Sequence, residues 1–260
     1  MSEADDGFKG WASAVGVAAL LCVDPLGLGG VRLRARPGYV RDAWLRTVRE
    51  LLPPTTSWQR VPANIRDDHL LGGLDLTATL RAGRAVAQRG VLAQADEGIL
   101  EIAMAERLDG AIAAKICATV DSGVVTLERE GLASRPPARF TMIALDEGEL
   151  ELGEAPPASL CDRLGFVVDL HNISWRDVSE GWFEAQRIAH ARGLAPKVKI
   201  TDAQYDAVAA AAIALGVWSL RPSLFALRAA RAAAALEQRT VLSDDDLSLA
   251  VQLVLAPRAT

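Results

Sequence analysis

An α/β fold, a mostly parallel sheet covered by helices and followed by a small helical domain, is what this sequence predicts, on three observations. Short apolar runs alternate with helix-like stretches over the first three quarters of the chain, the pattern of strands joined by crossover helices. From Thr201 onward the strands stop, and alanine- and leucine-rich helices follow one another. The 260 residues are 50% hydrophobic, so a large core can be buried.

Taken in order, AALLCV (Ala18–Val23) reads as a buried strand, and VDPLGLGGVRL (Val23–Leu33) as the glycine-rich turn that leaves it. DAWLRTVRELL (Asp42–Leu52) has the period of an amphipathic helix and stops at Pro53-Pro54. GILEIAMA (Gly98–Ala105) is a second buried strand, followed by a helix through LDGAIAAKICATVDSG. VVTLEREG (Val124–Gly131) alternates and closes on glycine, as a hairpin arm does. RFTMIAL (Arg139–Leu145) and GFVVDL (Gly165–Leu170) are further core strands, and Trp175–Arg192 reads as helix. GLAPKVKI (Gly193–Ile200) is the natural linker, which places an α/β core at residues 1–195 and the helical domain at 196–260. Thr201 caps the first helix of that domain, and Ser243 starts the last with acids at its positive end.

Charge and composition exclude several functions. A net charge of −5 argues against a nucleic-acid binder, which needs clustered Lys and Arg. RLRARPGYVR (Arg32–Arg41) is the local exception and reads as a solvated or subunit-facing patch, with an anion site as the alternative. Cys22, Cys117 and Cys161 lie far apart without metal-ligand spacing, as in a reduced, cytoplasmic protein. His69, His171 and His190 lack ligand spacing too, and SDDD (Ser243–Asp246) is explained by helix capping, so no metal site is expected. The acidic N-terminus lacks the basic start of a signal peptide, and Ala12–Val23 is too short to span a bilayer. Trp44, Trp182 and Trp218 read as helix-packing or interface residues.

Parallel sheets bind ligands beyond the carboxyl ends of their strands. The Val23–Leu33 loop would sit at such an end, with Gly27, Gly29 and Gly30 where a phosphate-gripping loop wants glycine. A phosphate loop reads G-x-x-x-x-G-K-[ST]: its backbone N–H groups cradle phosphate, its lysine neutralises it and its hydroxyl holds magnesium. Taken alone, DPLGLGG is compatible with such a site, with its remnant, or with an ordinary turn. A dinucleotide site using GLGG would need a ribose-binding acid after the second strand, and no convincing candidate follows.

Four collinear segments sharpen this: LLGGLDLTATLRAGR (Leu70–Arg84), RGVLAQADEGILEIAM (Arg89–Met104), DSGVVTLEREGLASRPPARF (Asp121–Phe140) and LCDRLGF (Leu160–Phe166). With the lid-like LRPSLFALRAARAAAALE (Leu220–Glu237), they resemble the AAA+ module of the magnesium chelatase family over almost the whole chain. The resemblance implies an AAA+ three-layer αβα core with inserted hairpins and a C-terminal helical lid. The VTLEREGLASRPPARF hairpin would then project towards a ring interior or a partner subunit, or lie plainly in solvent.

The departures from the family pattern are as informative. The resemblance puts the family's loop lysine and hydroxyl at Gly30 and Val31, its magnesium-holding Asp and water-polarising Glu at Ala103 and Met104, and its γ-phosphate-sensing asparagine near Glu147. Each lost charge-assisted contact is worth roughly 1.5–3 kcal/mol, so losing lysine and metal ligand weakens nucleotide binding by about a hundredfold or more. The chain alone is expected to be inactive as an ATPase. Arg163, in CDRLGF, matches the position that reaches into a neighbour's ATP site, Asp162 would orient it, and Arg221, in LRPSL, matches the lid sensor. This pattern resembles the family's D-type subunits. It implies a ring shared with the ATPase (I) subunit, ATP and magnesium held at that partner's site, and coupling to the large porphyrin-binding (H) subunit that inserts magnesium. The alternative is a divergent but active ATPase whose phosphate contacts come from Arg32, Arg34 or Arg36.

Overall fold

The structure is a computed structural model that describes residues 3–84, 86–129 and 132–260. It resolves into two compact units, Met1–Thr55 with Asp162–Thr260, and Thr56–Cys161. The first unit opens with α1 (Glu3–Val23), a helix of 21 residues. The strand expected at Ala18–Val23 is instead the end of this helix. Val17 through Val23 are all 3% exposed or less, and a run buried on every side carries no helical period to betray it. Arg192 donates from Nε and Nη2 to the Cys22 carbonyl at 3.1 and 2.7 Å, satisfying a carbonyl that the helix end leaves open. Burial pushes the Cys22 thiol up to about 12 against the opposing charge of Arg192, so it is an inert packing group.

After α1 come α2 (Pro25–Leu28), β1 (Gly30–Arg34) and α3 (Tyr39–Leu51). The arginine-rich stretch is a strand, a turn and a helix start, half-buried at Arg32, Arg34 and Arg41 and exposed from Arg36 to Tyr39. Val31 and Leu33 are fully buried and alternate with half-buried Arg32 and Arg34, the period of a strand. Trp44 of α3 is fully buried, and its indole N–H donates to the Ala14 carbonyl of α1 at 2.8 Å.

The second unit contains β2 (Trp58–Val61), α4 (Asp67–Leu71), β3 (Gly72–Leu74), α5 (Leu76–Ala82), β4 (Ala87–Arg89) and α6 (Val91–Gln94). It continues through β5 (Ile99–Ile102), α7 (Gly110–Ser122), β6 (Leu127–Arg129), β7 (Leu132–Ser134), β8 (Thr141–Asp146) and α8 (Ala158–Cys161). Strands β2, β5 and β8 pair in parallel, with Trp58 opposite Ile99 and Ile99 opposite Thr141. Every residue of β5 and β8 is buried, which is why both read as mainly apolar runs, broken only by Glu101, Thr141 and Asp146. Two antiparallel hairpins, β3–β4 and β6–β7, are inserted. The hairpin expected from Val124 is the second of these, with Glu130 and Gly131 outside the described residues. Lys115 of α7 lies 2.6 Å from both carboxylate oxygens of Asp67 in α4.

The chain then returns to the first unit with β9 (Phe166–Asp169), α9 (Ala185–Leu194), α10 (Asp202–Ala214), α11 (Leu220–Leu236) and α12 (Asp244–Ala250). β9 runs parallel to β1, with Val31 opposite Phe166 and Arg34 opposite Asp169. The helix expected from Trp175 starts only at Ala185. Before it, the Ser174 N–H donates to Asp177 (3.0 Å), and Gly181 takes a φ of +80°, so local side-chain bonds and turn chemistry displace the helix.

Both expected caps are present, and each is a full capping box: Thr201 with Gln204, and Ser243 with Asp246. α11 buries Ala226, Leu227 and most of the alanines that follow. α11 packs against α1, α9, α10 and α12, with Leu220, Leu224 and Arg228 left exposed. The C-terminal helices therefore share a compact unit with residues 1–55, and the units do not divide at the expected 195/196 linker. Trp44 is a packing residue, whereas Trp218 is 83% exposed. Among the described residues, no helix is long and apolar enough to cross a membrane.

Replacing Trp44 by Phe removes the indole N–H bond to the Ala14 carbonyl together with part of a buried ring. It should lower unfolding stability by about 1–2 kcal/mol, measured by urea denaturation; an unchanged midpoint would mean that this bond contributes nothing.

Candidate functional site

The glycine segment lies before a strand, not after one. Gly27 is inside α2, Gly29 follows it, and Gly30 begins β1. Phosphate sits at the carboxyl end of a parallel strand, where a helix N-terminus meets it, and this segment is at the opposite end. Its glycines answer to packing instead. A Cβ on Gly27 would fall 2.0 Å from Arg228 Nη1 and 2.3 Å from the carboxylate of Asp24. Those two groups form an ion pair at 2.8 Å, and Asp24 also caps α2 by accepting from the Gly27 N–H at 3.1 Å. A Cβ on Gly29, at φ +71°, would fall 2.3 Å from the backbone oxygen of Arg163. The Gly165 N–H donates to the Leu28 carbonyl at 2.9 Å, and a Cβ on Gly165 would lie 2.6 Å from that oxygen. So the glycines admit the Asp162–Gly165 segment to backbone contact.

That segment is fastened from several sides. The two oxygens of Asp162 accept from the Ser219 hydroxyl (2.8 Å) and from Arg221 Nη1 (2.7 Å), both at the start of α11. Leu164 is fully buried. Arg258 donates to the carbonyls of Leu164 and Val254, and to that of Gly165 at 3.3 Å. Partial burial works against ionisation of Asp162, but the bonds from Ser219 and Arg221, with the charges of Arg221 and Arg163, outweigh it and hold the carboxyl below its ordinary range. Arg163 is half-buried on this fixed backbone. Asp162, expected to orient Arg163, gives its two oxygens to Ser219 and Arg221; its neighbour Arg163 acts on it through charge. Arg221, expected as a nucleotide sensor, is the group that ties α11 to this segment.

The strand-to-helix turn that could hold phosphate in this unit is the one from β1 to α3. Counted from Ala35, directly after β1, the phosphate-loop template puts Val40 at its last glycine, Arg41 at its lysine and Asp42 at its hydroxyl. This corrects the expected positions, Gly30 and Val31, which start β1 itself. Asp42 sits in the first turn of α3 and lays a negative charge where a phosphate would use the helix dipole. Arg41 Nε lies 3.8 Å from the Asp42 carboxylate. These residues do not fit an ATP–magnesium group. The signal missed in the sequence was the Val31/Leu33 alternation, which marks the strand preceding this turn.

The alternative arginines are also placed. Arg34 is paired with Asp169 at 2.6 Å, and Asp169 also lies 2.9 Å from the His171 ring. Arg32 is on β1, and Arg36 is exposed in the turn after it. In the second unit, Ala103 and Met104 do follow the carboxyl end of β5 directly. Ala103 is 4% exposed, and Met104 adopts φ +47°. The acids nearby in sequence have structural bonds. Glu101 accepts from the Trp58 indole at 2.9 Å, Glu106 from the Glu147 N–H at 3.0 Å, and Asp146 from the Gly148 N–H at 3.0 Å. Among the described residues, no group of three or more His, Cys, Asp or Glu side chains is arranged to hold a metal ion.

Comparison with known proteins agrees with this architecture. Residues 205–260 match the AAA lid domain family. The chain is 36% identical to the magnesium-chelatase 67 kDa subunit of Chlorobaculum parvum over 93% of its own length and 41% of that relative. It thus spans about two fifths of that relative's length. It is 30% identical to the magnesium-chelatase 38 kDa subunit of Rhodobacter capsulatus, over 92% of this chain and 83% of that one. A solved protein of Cytophaga hutchinsonii, described as a candidate ATPase, superposes with a TM-score of 0.70 at 15% identity, covering 97% of this chain and 86% of the other. The fold is therefore the AAA+ α/β fold with a helical lid.

Two outcomes check the site's construction. Gly29→Ala combines a positive φ with a backbone clash and should cost about 2–4 kcal/mol of stability, read by chemical denaturation; a shift under 0.5 kcal/mol would dismiss the close approach. Because the folded pKa of Asp162 is depressed, the stability it contributes is complete above the ordinary value of 3.8 and is lost as pH falls through the lower folded value. The stability gap between wild type and Asp162→Asn should accordingly narrow as the pH is lowered from 5 to below 3.8; a constant gap would contradict the assignment.

Proposed function

Because the chain belongs to the magnesium-chelatase family of AAA+ proteins, we propose that it serves as a non-hydrolysing AAA+ subunit of an ATP-dependent magnesium chelatase. It assembles in a ring with the ATPase subunit and presents Arg163 to the nucleotide held there. The observation that carries this reading is a contrast between two ends of the chain's own equipment. The segment bearing Arg163 is fixed by Asp162, Gly29 and Arg258, whereas the chain's own loop ends in Val40-Arg41-Asp42 and its β5 is followed by Ala103-Met104. A guanidinium acting in trans stabilises charge on the transferring phosphoryl group only if its position is set beforehand. Asp162 contributes by binding Arg221 and Ser219, which locks the lid helix α11 to the finger segment. Movement of the lid is thereby coupled to the position of Arg163. ATP and magnesium belong to the partner's site, and the motion driven there is passed to the large porphyrin-binding subunit, where magnesium is the cargo.

The test is steady-state ATP hydrolysis by the purified ATPase subunit mixed with this protein. Arg163→Ala should lower the turnover of the mixed complex by at least about tenfold, since an arginine in trans is worth roughly 10³–10⁵ in rate. Complex formation, followed by size-exclusion chromatography, should survive the change. Full ATPase and chelatase activity in a normally assembled complex would refute the finger role.

A further inference from the structure

The insert closed by Gly72 and Arg89 carries a capped helix with no buried side chain among the described residues. β3 and β4 close it, pairing Gly72 with Arg89 and Leu74 with Ala87. Asp75 caps α5 by accepting from the Ala78 N–H at 2.8 Å, and the Thr79 hydroxyl accepts from the Val86 N–H at 3.0 Å. Gly83, in the left-handed conformation, ends the helix and returns its N–H to the Thr79 carbonyl. Despite these fastenings, α5 has no buried residue among those described. Leu80 is 84% exposed, above every other large apolar side chain described.

The charge around Leu80 is one-sided. Arg81 and Arg84 are exposed and make no hydrogen bond or ion pair with any described residue. The sequence holds no acidic residue between Asp75 and Asp96, although the chain as a whole carries a net charge of −5. The third arginine of the insert, Arg89, is engaged with the Ala93 carbonyl at 2.6 Å. What projects is a preordered apolar knob with two unneutralised cations beside it.

We propose that Leu80, with Arg81 and Arg84, docks into a partner protein whose surface offers an apolar pocket rimmed by carboxylates. Leu80 supplies the buried anchor and the arginines supply steering and register. The caps of α5 hold the knob in its docking form before contact, which lowers the ordering cost of binding. A nucleic acid fits less well: it rewards a row of cations and gives no return for a fully exposed leucine. The choice of partners to try rests on the multi-subunit reading above, but the contact is independent of Arg163.

The experiment measures binding of the full-length protein to the purified ATPase subunit and to the purified large subunit of the same chelatase, for wild type, Leu80→Ala, R81E/R84E and R81K/R84K. With one of these partners, Leu80→Ala and R81E/R84E should each weaken binding about tenfold. R81K/R84K should bind as wild type does, and thermal unfolding of all four proteins should coincide. Retained wild-type affinity for both partners in Leu80→Ala and R81E/R84E overturns the proposal. So does a loss confined to self-association, which would assign the knob to a second copy, or one confined to binding of an RNA or DNA oligonucleotide. Failure here leaves the finger reading standing, because that is read from turnover of an assembled complex.

Discussion

The close backbone approach between Leu28–Gly30 and Arg163–Gly165 is the constraint on which the first unit's functional edge depends. Two chain segments that far apart in sequence come within hydrogen-bonding distance, Gly165 N–H to Leu28 carbonyl at 2.9 Å, because neither Gly29 nor Gly165 carries a Cβ. Adding one would push a carbon to 2.3 Å or 2.6 Å from a carbonyl oxygen. Everything that positions Arg163 follows from this contact: the buried Leu164 beside it, the Arg258 clamp on the following carbonyls, and the Asp162 bridge to α11.

Within each unit, charged side chains make structural bonds. Asp24 caps α2 and holds Arg228; Arg34 is bound to Asp169; Glu101, Glu106 and Asp146 each accept a bond from their own unit. Such bonds keep buried or half-buried polar groups satisfied.

The lid helix shows the same economy of parts. α11 buries its alanines while Leu220, Leu224 and Arg228 stay exposed, and its first turn reaches Asp162 through Ser219 and Arg221. The lid helix and the Asp162–Gly165 segment are thus joined by two hydrogen bonds to a single carboxylate.

Periodicity and caps made much of the fold legible. The amphipathic α3, the buried β5 and β8, and the capping boxes at Thr201 and Ser243 all follow from local pattern, because local sterics and hydrogen bonding alone select them. Collinear motifs carried the family. Three matters were decided only by tertiary structure. Ala18–Val23 is helix because other helices enclose it, and a fully enclosed run looks alike in either conformation. Gly29 is glycine because of an atom more than a hundred residues away, the Arg163 carbonyl oxygen, a requirement no local spacing can express, whereas Gly27 meets both Arg228 and its near neighbour Asp24. The partners of Asp162 likewise come from the far end of the chain. By itself the sequence determined which elements could form and which family they resemble; long-range approach, which depends on what each backbone meets, decided how the Asp162–Gly165 segment is held.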